Sequence, residues 1–149
     1  MKALAPEPAP TATEPAAAPD PSPTTIDPRD ERIPDVCRPK LFQIIGMIEE
    51  TEALAQRHAK FAQYVGEVRQ MRDQHLPKLV TSYIDIPAQH RAEIFRRTGK
   101  SASFVLNEAL DRMIKRLDEM GKSIASDDID TFTQNLGFIE YRYGDSPFS

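Results

Sequence analysis

The residues able to do chemistry are few, and most of them are basic. Gly99-Lys100-Ser101 has the ending of a phosphate-binding loop. Such a loop needs a glycine five residues before Gly99 and a strand leading into it. That position holds Ile94, and no strand pattern precedes it, so the full motif fails. A looser anion site survives. Arg91, Arg96, Arg97 and Lys100 come just before a helix expected to start at Ser101 or Ser103. A helix N-terminus offers unpaired N–H groups and partial positive charge to an anion. The plainer alternative is a solvated basic loop, or an internal partner for Asp127, Asp128 and Asp130. If the chain is an enzyme, His75 or His90 would serve as acid or base on a phosphate held there.

The acidic cluster Asp127-Asp128-Ile129-Asp130 lacks the glycine and further oxygen ligands of a calcium loop. Capping a helix that starts there explains the acids without an ion. His58, His75 and His90 share no ligand spacing. No metal and no cofactor are expected. His58 falls on an apolar stripe and reads as a boundary histidine with one hydrogen bond. Cys37 is the single cysteine. It has no identifiable activating partner and reads as a passive residue at the edge of the fold.

These residues must be positioned by helices. The 149-residue chain divides by composition near Lys40: ten of its thirteen prolines precede that residue. Residues 1–33 have little to bury and read as a disordered Pro/Ala-rich tail. Residues 34–149 read as one helical domain, large enough for a single core. Leu41, Ile44, Ile45 and Ile48 share one helix face, and the stripe resumes at Leu54, His58, Phe61, Val65 and Val68. This predicts one long helix over residues 40–74, whole or broken around residues 51–54, with Gly46 and Gly66 as its weak points. Pro77 restarts the chain as a corner, followed by a short linking helix carrying Leu79, Val80 and Tyr83. The ladder Leu106, Leu110, Met113, Leu117, Met120, Ile124 predicts a further helix. Ile129, Phe132, Leu136, Ile139 and Tyr143 predict a last one, starting in the Ser126-Asp127-Asp128 cluster and ended by Gly144. No stretch alternates like a strand. The expected fold is therefore an all-α antiparallel bundle: a long helix, a short linking helix and a C-terminal helix pair.

Composition narrows the function. The net charge of −4 argues against nucleic-acid binding. No stretch is apolar enough to span a bilayer, and prolines follow Leu4 so closely that no signal peptide is expected. A lone cysteine fits a reducing cytoplasm. Phe138 and Tyr141 lie off the main stripe of the last helix, with Arg142 and Phe148 also near the C-terminus; aromatics with arginine suit a protein partner, and packing of that second face against the first helix is the equal alternative. A homodimer with long helices paired across a two-fold axis is a further reading.

From about Val68 onward the chain resembles the bacterial 5-bromo-4-chloroindolyl phosphate hydrolysis family, the XpaC-like proteins. Leu76-Pro77, Leu79, Tyr83, the helix of Leu106 to Leu117 and Asp128-Ile129-Asp130 carry the likeness. The resemblance implies a helical domain opened by Leu-Pro. It implies a protein partner of the TelA-like toxic anion resistance type. The family's name implies phosphate-ester hydrolysis, without a catalytic motif to place on these residues. The expected function is a non-enzymatic cytoplasmic helical protein that binds another protein, with hydrolysis of aryl or indolyl phosphates as the alternative.

Overall fold

A computed structural model describes residues 26–144. It is all-α, with no strand among the described residues. Helix α1 spans Arg38–Ala55, α2 Ala62–Gln70, α3 Leu76–Ile84, α4 Ala92–Thr98 and α5 Ala102–Tyr143. Short 3-10 turns cover Ala59–Phe61 and Ala88–His90, and a π-helical segment, Met71–His75, joins α2 to α3. No helix of the described residues is long and apolar enough to cross a membrane.

Pro39 opens α1, where a proline's missing N–H costs nothing. Leu41, Ile44, Ile48, Thr51 and Ala55 are buried at steps of three and four residues, which keeps one face of α1 in the core. The chain leaves the helix at His58, whose φ of −134° and ψ of 129° are extended. The first helix is thus a broken pair, and the break falls just after the stretch expected. Gly46 and Gly66 sit inside α1 and α2 and break neither.

The helical backbone does not restart at Pro77, where a corner is expected, but runs on through it. Gln70 and Leu76 flank the π segment with helical dihedrals, so residues 62–84 form one rod. The Leu76 N–H donates to the Met71 carbonyl, five residues back. The wider turn lets a proline enter without ending the rod. Leu76, Pro77, Val80 and Tyr83 then face the core.

Chain direction follows from the cross-links. The Cys37 thiol approaches the Ser103 carbonyl, Lys40 pairs with Asp111, and Ala55 clusters with Ile124. Helices α1 and α5 are therefore parallel. Lys60 meets Asp127 and Glu67 meets Arg116, so the α2–α3 rod runs antiparallel to α5. The result is an up-down-up bundle, with α4 as the short return from α3 to the start of α5.

Two expectations are corrected. The C-terminal helix pair is one continuous helix of 42 residues, about 63 Å long at 1.5 Å per residue. Ser126, Asp127 and Asp128 do not cap a new helix; both carboxylates are taken by side chains from the α1–α2 link. The boundary at residue 33 also moves. Residues 26–33 form turns on the bundle, with Ile33 buried and Ile26 packed against the core. The Asp30 carboxylate accepts from the Arg32 guanidinium and backbone N–H, which pulls its pKa down to about 2. The earlier part of the expected tail lies outside the described residues.

Candidate functional site

The connector between α3 and α5 closes most of its own charge. Glu93 accepts from Arg96 at 2.9 Å and from Arg97 at 3.2 Å. These two guanidinium groups hold the Glu93 carboxyl below the usual carboxylate range. Lys100 donates to Glu108 at 3.0 Å and lies over the Phe104 ring. Gly99, at φ +78°, ends α4 in the left-handed conformation that glycine adopts without strain. Ser101 caps α5 by accepting from the Phe104 N–H at 3.2 Å. Gly99-Lys100-Ser101 is therefore helix punctuation with an ion pair.

Arg91 stands apart from the other three basic residues. Its guanidinium lies over the Tyr83 ring at 4.9 Å, a cation–π contact. Its Nε is buried without a hydrogen-bond partner. It lines an open cavity of about 370 Å³ with Tyr83, Phe95, Ser101 and Ser103. Neither His75 nor His90 lines that cavity. Both are exposed, His75 in the π segment and His90 in the turn before α4. The structure thus brings Arg91 to the N-terminal end of α5, in a cavity that neither histidine lines.

Asp127 and Asp128 lie toward the other end of α5, away from the connector. Lys60 donates to Asp127 at 2.5 Å, and Arg57 donates to Asp128 at 2.9 Å. His58 Nε2 lies 3.1 Å from the second Asp128 oxygen, the single hydrogen bond expected of a boundary histidine. One ligand atom from each of His58, Asp127 and Asp128 falls within 4.8 Å of the others. Arg57 and Lys60 already neutralise the two carboxylates, so the chemistry of this set is that of an ion-pair network.

The network marks where α5 leaves the bundle. Past it none of the described residues packs on the helix, and every residue from Ile129 to Gly144 is exposed. This projecting arm carries Ile129, Phe132, Leu136, Phe138, Ile139, Tyr141 and Tyr143, the last two 88% and 70% exposed. The stripe expected to fill the core faces solvent, because α1 ends at Ala55, level with Ile124. Phe138, Tyr141 and Arg142 are on the arm as well; Phe148 lies outside the described residues.

The arm's stripe does not continue the buried ladder. At about 100° per residue, Leu106, Leu110, Leu117, Met120 and Ile124 fall on one line facing the bundle. Ile129, Phe132, Leu136, Ile139 and Tyr143 fall on a line about 100° further round the helix. The five-residue step from Ile124 to Ile129 makes the change, and Asp127 and Asp128 remain on the bundle side. That step was the sequence signal for an unpartnered face, together with residues 131–139, which contain no charged side chain.

Comparison with known proteins adds no relative: no family model, no curated protein and no solved structure matches the chain.

Proposed function

We propose that this is a non-enzymatic cytoplasmic protein that acts by binding another protein, with the arm of α5 as its docking element. The observation that carries this reading is the arm itself: a helix that leaves its bundle and keeps seven large apolar side chains in water. Contiguous apolar surface of this kind marks interaction sites. A helix end with no tertiary contacts is marginal in water, and a partner that covers it supplies the missing packing. Its aromatics and Arg142 are the residue types that carry binding energy in interfaces. The XpaC-like resemblance makes a TelA-like protein the first heterologous partner to try.

The test is a pull-down from the native host with the full chain and a Phe138→Ala/Tyr141→Ala/Arg142→Ala variant. A partner kept by the first and lost by the second supports the reading. A partner held equally by both, or none held by either, overturns it for these residues.

Phosphate-ester hydrolysis is the second reading, and the unpaired Arg91 beside two serine hydroxyls is what favours it. Purified protein would then turn over a chromogenic aryl phosphate, and Arg91→Ala would abolish that turnover. Absence of turnover with and without divalent metal ions sinks this reading for that substrate.

A further inference from the structure

We infer that the apolar stripe of the arm pairs with the same stripe of a second copy, the two arms lying antiparallel. This rests on the docking reading above and names the occupant of one face. The spacing argues for it. Ala125, Ile129, Phe132, Leu136, Ile139 and Tyr143 are separated by 4, 3, 4, 3 and 4 residues. That series is the same read in either direction. Its mean step, close to 3.5, is that of a helix packed along another helix. A second copy running the opposite way, centred on Gln134, presents a matching ladder at every rung. The second copy's Tyr143 meets Ala125, a large residue against a small one. The second copy's Ile139 meets Ile129, and its Leu136 meets Phe132.

Charge agrees with this register. The side chains flanking such a seam meet their counterparts across it. In this register Asp128 of one arm meets Arg142 of the other, at both ends of the pair. Ser126 meets Glu140, and at the centre Thr133 and Asn135 each meet their own copies. No like charges oppose one another. Asp128 keeps acceptor capacity beside its bonds to Arg57 and His58, because a carboxylate offers about four lone-pair sites.

Size agrees as well. Taking roughly 150–250 Å² for a whole aromatic side chain, the half-to-two-thirds exposed stripes of two copies remove on the order of 1,000 Å² from water. That is where specific interfaces begin.

The test uses the full chain. Sedimentation velocity should show a dimer, and Leu136→Asp should shift it to monomer, while Gln134→Asp, on the far side of the helix, should leave it dimeric. Orientation is read by oxidising single-cysteine additions. Ser126→Cys and Glu140→Cys proteins should cross-link when mixed and not when alone. No cross-link in the mixture would mean another arrangement of the arms and overturn the proposal, as would a monomer at every concentration tested. In the monomer case the host pull-down still decides the docking reading, because its Phe138, Tyr141 and Arg142 variant tests capture of a different protein.

Discussion

Arg57 reaches Asp128 at 2.9 Å across 71 residues of sequence. Lys60 does the same for Asp127, and between them they pin the last packed turn of α5 to the link between α1 and α2. Below this clasp α5 is a core helix; above it, the helix is exposed on all sides.

Opening the clasp should loosen the arm more than the bundle. Both pairs are partly exposed, and such pairs are worth up to about 1 kcal/mol. An Asp127→Asn/Asp128→Asn double variant should lose about 1 kcal/mol in urea unfolding. Amide exchange over residues 125–130 should quicken at the same time. Unchanged exchange there would show that the clasp does not hold the arm's base.

Truncation should separate the two halves of α5 sharply. Leu110 and Leu117 are 0% and 1% exposed, and either change to alanine should cost about 2–5 kcal/mol. Tyr141→Ala, at the open end of the same helix, should stay within about 0.5 kcal/mol. Chemical unfolding followed by circular dichroism makes the comparison. A large loss at Tyr141 would mean that the arm is packed in solution.

Acid should release one specific link. Glu67 accepts from Arg116 Nε at 2.7 Å and from Nη2 at 2.8 Å, a two-pronged grip between α2 and α5. This grip holds the Glu67 carboxyl below its ordinary value of 4.5. Because the folded value is the lower one, the stabilisation is complete above the unfolded value. It is lost as pH falls through the folded value. Solvent screening limits it to about 1 kcal/mol or less. Glu67→Gln should remove that part of the acid dependence while leaving the rest of the pH profile unchanged.

Cys37 should be inert while the protein is folded. It is fully buried, and burial pushes its thiol up from 9.0. A thiol reagent such as DTNB should label it only after denaturant is added. Rapid labelling of native protein would show that the start of α1 opens readily.

The core was legible where periodicity and burial agree. Leu41, Ile44 and Ile48 of α1 and Leu106, Leu110, Leu117, Met120 and Ile124 of α5 are buried as their spacing implies, and Tyr83 and Val80 fill the core after Pro77, whereas Ile45 is exposed and Met113 only partly buried. Ser126, Asp127 and Asp128 misled for a definite reason. Serine and aspartate favour helix caps, but here Asp127 and Asp128 answer cations from 67 and 71 residues earlier, a relation invisible to local spacing. Pro77 misled because the π turn before it lets the helical backbone run on through the proline. The neutralised connector, by contrast, was there to be seen: Glu93 stands three and four residues before Arg96 and Arg97, a helical pairing distance.

The offset between the two ladders of α5 behaves like a key cut into a shaft. Inserting or deleting one residue between Ile124 and Ile129 would leave both the bundle and the arm chemically unchanged, yet turn the docking face by about 100°. Seven inserted residues would lengthen the arm by about 10 Å and bring the face back to nearly its original bearing. Over evolutionary time this helix can therefore change its length in heptads, whereas a change of one residue re-aims everything it binds.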